Sequence, residues 1–491
     1  MTYLGIDCGT SAVKVVLVNE AGDALASGES GYRPDHPHPL WSEQDPRVWR
    51  AAMFAALAQA RATAPKAFAR ARGMGFSGQM HGAVALGADD EPVRPAILHN
   101  DSRAFAEAGE LWERHRKIAW EVGVKPMAGF TAPKLLWLAR HEPETFARAK
   151  TVLLPKDYLR LQLTGEKFTD MSDAAGSWWL DEAKRRWSEA ALAASGVSPS
   201  QVPALVEGCE SAGTLRPEIA EALGLPLTCV VAAGGGDAAV GAIGLGAIRP
   251  GEAFVSLGTA SQLILASDLY RAAPEKLVHS FAHTLPGRWY RMAAMLNGAG
   301  ALAFAARLVK ADVADLLREA EPDYHGPGEL TFLPYLSGER TPLDDAHARG
   351  VVFGLSEAST RADLTRSVME GVALTLADAR ACLEAAGDSI GDVGLIGGGA
   401  RSALWARMIA SAMNRRILRY RGGAAGPAFG AARLARIAAT GEDPEAICTP
   451  PQIEDVTEPE PGLVAAFAAK RVRFRALYAA LQGEFAAAAT N

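Results

Sequence analysis

Cysteine is scarce and badly spaced for any pairing. Cys8, Cys209, Cys229, Cys382 and Cys448 are scattered over 491 residues without a CxxC pair. That excludes a disulfide framework and a cysteine-built zinc site, and points to a reducing compartment, the cytoplasm. Excess positive charge is lacking too. Fifty Lys and Arg stand against 56 Asp and Glu, a net charge of -6 with no long basic run, so the electrostatic footprint for nucleic acid or an anionic membrane surface is missing. No long uninterrupted apolar run exists either: the stretch over residues 230–248 is broken by Asp237 and several glycines, which reads as a strand, a loop and a helix rather than a membrane span. The opening Tyr3-Leu4-Gly5-Ile6-Asp7 has no basic flank or small-residue cleavage site, so no export signal is expected. Two familiar nucleotide loops are also missing. There is no GxxxxGK[ST], and Gly244-Leu245-Gly246 lacks the third glycine of a dinucleotide fingerprint, which argues against a P-loop or Rossmann enzyme.

What is present is an ordinary globular composition, 49% apolar and 22% charged, in a chain too long for one hydrophobic core. Residues 3–18 read as two strands around the turn Cys8-Gly9-Thr10-Ser11. The same plan returns at Ala253-Phe254-Val255-Ser256, Leu257-Gly258-Thr259-Ala260 and Gln262-Leu263-Ile264-Leu265. A strand-GT-strand unit opening each half implies duplication of a whole domain. The join is expected at the Pro250-Gly251 turn, giving domains 1–247 and 248–491. Helices are expected from Asp45-Pro46 to about Arg61, from a Thr131 cap to before Pro143, from Thr360 to about Ala386, over residues 428–439, and from Leu463 on, packed outside a domain. The class is α/β in both halves.

Four segments could carry chemistry. In Asp7-Cys8-Gly9-Thr10-Ser11 a carboxylate ends a strand and a glycine turn offers N–H groups and hydroxyls, a grip for phosphate oxygens and Mg²⁺, or else a plain hairpin turn. Gly234-Gly235-Gly236-Asp237 follows a strand and precedes a helix, so Asp237 is either an N-cap or a carboxylate facing a cleft. Ser77-Gly78-Gln79-Met80-His81-Gly82 sets an amide, a thioether and an imidazole between glycines, the mixed polar and apolar wall that sugars need. Asn100 and Asp101 add either hydroxyl partners or a capped helix start. Gly397-Gly398-Gly399-Ala400-Arg401-Ser402 forms a close backbone surface on which adenosine could lie, and Gly422 to Pro427 repeats the theme. Phosphoryl transfer to an alcohol asks for a carboxylate that accepts the hydroxyl proton and for metal-held phosphates, roles Asp237 and Asp7 can fill.

The segments GIDCGTSAVKVVLVNE, HPLWSEQDP, SGQMHGA, FTAPKLLWLARHEPE, LLPKDYLRLQLTGE, DMSDAAGSWWLD, FLPYLSGERTP and IGGGARSALW resemble the FGGY family of carbohydrate kinases, over nearly the whole chain. The resemblance implies an actin-like, ribonuclease-H-like fold in each half, a sugar in the cleft against the first domain and MgATP on the second. It implies Asp237 as catalytic base, Asp7 near metal and phosphates, and Met80 and His81, with Gln79, Asn100 and Asp101, at the sugar. Thr10, Ser11, Lys14, Gly258, Thr259, Gly398, Gly399 and Ser402 fall on the nucleotide. D-xylulose is the expected acceptor, with ribulose, L-xylulose or glycerol as alternatives; a non-catalytic ATP-binding actin-like protein is the alternative of another class. A homodimer would fit the family. His99, Ala238 and Ala260 depart from its pattern, which often has Trp, Asn and Ser there.

Overall fold

The computed structural model describes residues 1–421 and 426–488. The first half opens with the antiparallel hairpin β1 (Thr2–Cys8) and β2 (Ala12–Asn19), extended by β3 (Ala24–Gly31). Alternating apolar residues of β1 and β2, including Leu4, Ile6, Val13, Val15 and Leu17, are buried together on one face of the sheet, and Tyr3 and Val18 are buried on the other. Helix α1 (Pro46–Thr63) starts where expected, with the Asp45 carboxylate accepting from Arg47 N and proline in the first turn. There follow β4 (Ala71–Gly78), α2 (Thr131–His141), α3 (Pro155–Thr164), β5 (Ser211–Thr214), β6 (Val230–Ala232) and α4 (Asp237–Leu245). Thr131 does not cap α2. It is the first helical residue, Phe130 holds the cap position, and the Thr131 hydroxyl instead donates to His81 O at 3.2 Å.

The second half repeats the plan with β7 (Ala253–Leu257), β8 (Ser261–Ser267), β9 (Val278–Ala282), β10 (Trp289–Met295), α5 (Arg361–Ala385), β11 (Val393–Ile396), α6 (Ala403–Met413), β12 (Ile417–Tyr420), α7 (Pro427–Thr440), β13 (Ile453–Thr457) and α8 (Pro461–Ala488). The Thr360 capping box with Asp363 fixes the start of α5. Helix α8 lies over the second half and buries Leu463, Phe467, Phe474 and Phe485 in its core.

The duplication is visible in topology. The first sheet runs β5-β6-β4-β1-β2-β3 and the second β13-β12-β11-β7-β8-β10-β9. Each hairpin has a parallel neighbour on its other side, β4 beside β1 and β11 beside β7. Side-chain alternation sets the strands; the strand order comes from the crossovers. This is a mixed α/β fold of two actin-like units, each with a seven-stranded sheet once the short Gly235–Gly236 strand, paired to β4, is counted.

Packing also crosses the halves. Helix α7, late in the chain, lies on the first sheet against β1 and β4. Glycines make this possible: a methyl at Gly5 would stand 1.8 Å from Ala428 O, and one at Gly75 2.0 Å from Ala431 O. Helix α7 also packs on α4, where a methyl at Gly430 would meet Val240 O at 2.0 Å. Small residues here let backbones approach closely, so the helix that begins with Asp237 rests on a helix of the second half.

Candidate active site

Three strand ends of the first half converge. Asp7 lies near the end of β1, and its parallel neighbour across the sheet is Ser77 of β4. Residues Gln79, Met80 and His81 continue from β4, and Gly235–Gly236 pairs with the same strand end before Asp237 opens α4. The cap position of α4 belongs to Gly236; Asp237 is the first helical residue, its Oδ1 accepting from Ala238 N at 2.8 Å.

Thr10, Gln79, Met80, His81, His99, Phe130 and Asp237 of the first half share a cavity of about 140 Å³ with Gln262, His279, Met292 and Arg340 of the second. A single water needs only about 10–15 Å³ of such volume, so the cavity takes a small polyhydroxylated molecule rather than a few solvent sites. Its walls are the expected mixture of apolar surface and directed polar groups.

Asp237 lines the cavity and is exposed to the solvent within it, although many protein atoms lie around its carboxyl. Burial first, and then the neighbouring Asp7 charge, push its pKa up to about 7. Water in the cleft screens part of that effect, and the upward direction rests on both causes. The Asp7 carboxyl is raised as well by burial, with the Ser77 hydroxyl and Lys14 pulling back. Asp7 Oδ1 is buried and has no hydrogen-bond partner. Two raised carboxyls, Asp7 acting on Asp237 and carrying an orphaned oxygen, suit a divalent cation held by one or two carboxylates, waters and phosphate oxygens. Among the described residues no group of three or more His, Cys, Asp or Glu forms a protein-only metal cage.

His81 is held in one state. Its Nδ1 lies 2.6 Å from Gly176 O, a contact only an N–H can make, and burial drives its pKa well below the usual imidazole value. The ring is therefore neutral and Nε2 keeps a lone pair to accept from a hydroxyl. The His81 backbone sits at φ 69°, a region that is costly for a non-glycine residue. The buried Lys134 side chain, its pKa pushed well down by burial, holds this backbone by donating to His81 O at 2.9 Å and Gly129 O at 2.6 Å. Gly176 and Gly236 are required beside this loop, since methyls there would stand 2.9 Å from Met80 Cε and 2.6 Å from Met80 Cγ.

Behind the base lies a fully buried ionic cluster. Lys156 bridges Asp157 at 2.6 Å and Asp170 at 2.8 Å. Asp170 accepts from the Ser172 hydroxyl at 2.5 Å, and that oxygen accepts from Gly236 N at 3.2 Å. Burial raises Asp173, whose charge-partner is Lys156, far above the carboxylate range. This chain of contacts fixes the turn that carries Asp237.

On the other half, Gly258 and Thr259 follow β7 as Gly9 and Thr10 follow β1, and Gly397–Gly399 follow the adjacent parallel strand β11. Gly397 has φ 91°, and side chains at 397 and 399 would run into Leu257. The two turns therefore form one backbone-lined surface beyond the strand ends, where nucleotides bind in such sheets. Ser402 caps α6, its hydroxyl accepting from Trp405 N at 3.2 Å.

Not every expected residue joins the site. Ser11 and Lys14 are exposed on the first hairpin, Lys14 opposite Asp7 in register. Asn100 is exposed in a separate depression beside His36 to Trp41. Asp101 is buried with its oxygens taken by Ser42 N at 2.6 Å and by Arg103. Neither Asn100 nor Asp101 lines the cavity: Ser42 and Arg103 take up Asp101, and Asn100 faces solvent. The expectation over Gly422 to Ala425 lies outside the described residues. The sequence reading gave no site role to Phe130, Gln262, His279, Met292 and Arg340, although Phe130 and Arg340 lie within the family-like segments FTAPKLLWLARHEPE and FLPYLSGERTP.

A Gly-Thr turn at the head of each half of a duplicated actin-like fold, with a small cavity of mixed polar and apolar walls that holds Asp237, suits an enzyme that phosphorylates a small hydroxylated acceptor. Residues 2–244 match the N-terminal domain of the FGGY family of carbohydrate kinases and residues 253–439 its C-terminal domain. The chain belongs to the FGGY family of carbohydrate kinases, and so is an ATP-using enzyme. It is 45% identical to the xylulose kinase of Escherichia coli (strain K12) over 97% of this chain and 98% of that one. It is 43% identical to the xylulose kinase of Klebsiella pneumoniae over 98% and 99%. The crystal structure of a xyloylose kinase from Brucella ovis superposes with a TM-score of 0.96 at 47% identity, covering 98% of this chain and all of that one. The xylulose kinase from Rhodospirillum rubrum gives 0.91 at 28% identity, over 99% and 100%. Among the described residues no helix is long and apolar enough to cross a membrane.

Proposed function

We propose that the enzyme transfers the γ-phosphoryl group of ATP to the terminal C5 hydroxyl of D-xylulose, giving D-xylulose 5-phosphate and ADP, with Asp237 as general base. The observation that carries this reading is the Asp237 carboxyl, pushed up to about 7 beside Asp7 in a sugar-sized cavity. A base with a pKa near the working pH is efficient at taking a proton as a bond forms, worth on the order of 10² to 10⁴ in rate.

In this reading Asp237 accepts the C5 hydroxyl proton, neutral His81 accepts a hydrogen bond from a sugar hydroxyl through Nε2, and Met80 forms the apolar wall. Thr10 and the Gly258-Thr259 turn offer backbone N–H groups and hydroxyls to phosphate oxygens, and Gly398-Gly399 support the adenosine. A Mg²⁺ ion brought with ATP would be held at Asp7 and would neutralise charge on the phosphates. Because both halves line the cavity, their approach would exclude water, the competing acceptor. The five free thiols favour a cytoplasmic setting.

The test is coupled ADP release with MgATP and a panel of D-xylulose, L-xylulose, D-ribulose, L-ribulose and glycerol, for the native chain and Asp237→Asn. Turnover led by D-xylulose and lost in the variant supports the reading. A different leading sugar removes the substrate, and sugar-independent release alone removes the kinase reaction.

A further inference from the structure

Arg340 brings into the cavity a guanidinium that no protein group hydrogen-bonds, with the neighbouring Glu339 carboxyl acting on its charge. Its backbone is fixed: Glu339 accepts from Leu296 N at 2.6 Å, Asn297 Nδ2 at 3.2 Å and Arg340 N at 2.9 Å, and Thr341 N donates to Ala294 O at 3.2 Å. Those contacts occupy Glu339, and burial pushes that carboxyl up to about 7. Among the described residues the Arg340 guanidinium has no hydrogen bond and no ion pair; it is half-buried and lines the cavity, so its donors are free to meet a ligand there. The histidines flanking it offer no compensating charge: burial drives His99 down to about 4 and His279 to about 3, and the Arg340 charge adds to both shifts. Both rings are therefore neutral.

Arg340 lies at the Gly129 wall of the cavity, where a methyl on Gly129 would stand 3.9 Å from Arg340 Nη2 and 2.2 Å from His99 O, whereas Asp237 opens α4 next to Gly236, which packs against Met80. The two side chains line one cavity from different walls. A pentulose whose C5 hydroxyl meets Asp237 presents its C1 hydroxyl and C2 carbonyl to the other wall. We propose that Arg340 is a specificity-determining residue whose guanidinium fork donates to O1 and O2 of the ketose. A planar fork matches two adjacent oxygens in a way that an ammonium does not. Because Arg340 comes from the second half and Asp237 from the first, a sugar spanning both would also bridge the halves. This inference rests on D-xylulose being the acceptor.

The test uses the full-length enzyme with Arg340→Met and Arg340→Lys, measuring KM for D-xylulose, KM for MgATP, kcat, and ATP hydrolysis without sugar. Loss of charged hydrogen bonds made in both ground and transition state should raise KM for D-xylulose by about tenfold or more in Arg340→Met, with kcat largely kept. Arg340→Lys should fall between, while KM for MgATP and sugar-free hydrolysis stay as in the native enzyme. A smaller change in the sugar KM, or a parallel change in MgATP KM or sugar-free hydrolysis, overturns the proposal. Should Arg340→Met not fold, Arg340→Lys decides alone, by whether only the sugar KM rises. Native enzyme that shows no D-xylulose-stimulated ADP release instead removes the substrate reading, and the role of Arg340 with it.

Discussion

The raised Asp237 carboxyl has a direct kinetic signature. Its folded-state pKa lies above the usual carboxylate value because burial and Asp7 both disfavour the charged form. As a base it works only when ionised, so activity must rise with pH through that value. With a pKa of about 7, about one-tenth of the carboxyl is ionised at pH 6 and about nine-tenths at pH 8, a rise of about tenfold in rate. The assay is kcat/KM for D-xylulose between pH 5.5 and 9, at MgATP well below its KM so that the metal-free site is the one titrated. Asp237→Asn removes the limb, leaving a rate lower by on the order of 10² to 10⁴.

Asp7→Asn sharpens the test. Asp7 is the largest charge acting to raise Asp237, so its removal should move the acidic limb of the residual activity to lower pH. A profile flat from pH 6 to 8, or a limb that stays in place in Asp7→Asn, refutes the reasoning that this carboxylate pair sets the base.

Other substitutions separate positioning from chemistry. Gly75→Ala puts a methyl 2.0 Å from Ala431 O, so α7 must shift; overpacking of this kind costs about 1–3 kcal/mol, and a lowered Tm with reduced kcat should appear, since α4 rests on α7. Lys134→Met leaves His81 O with only the Thr131 hydroxyl and Gly129 O without its lysine donor; a loss of about 1–3 kcal/mol in stability and a raised sugar KM should follow, read by thermal denaturation and sugar titration. Ser172→Ala breaks the link from Asp170 to Gly236 N; removing a contact worth about 1 kcal/mol should lower kcat about fivefold while the MgATP KM is unchanged in steady-state kinetics.

The sequence alone determined the features that are local. The glycine turns after β1 and β7 need no distant partner to be recognised, because strand alternation and a Gly-Thr pair are properties of short segments. The caps at Asp45 and Thr360 and the α/β class were legible on the same basis, and so was the duplication, which repeats a short pattern. Asp237, Met80 and His81 were singled out because glycines beside chemically capable side chains leave a mark in one dimension.

Tertiary structure alone decided what meets at the cavity. His279, Met292 and Arg340 arrive from strands and loops some two hundred residues away from Met80 and His81, and nothing in their neighbours' spacing foretells that convergence. Asn100 and Asp101 carry plausible hydroxyl-binding groups, yet the fold spends Asp101 on Ser42 and Arg103 and turns Asn100 to solvent. The seating of α7 on the first sheet likewise needed the crossovers, since small residues permit a close approach without saying which surface makes it. Nor is the pKa of Asp237 written in its residue type. It comes from burial and from the second carboxylate that the parallel pairing of β1 and β4 brings alongside.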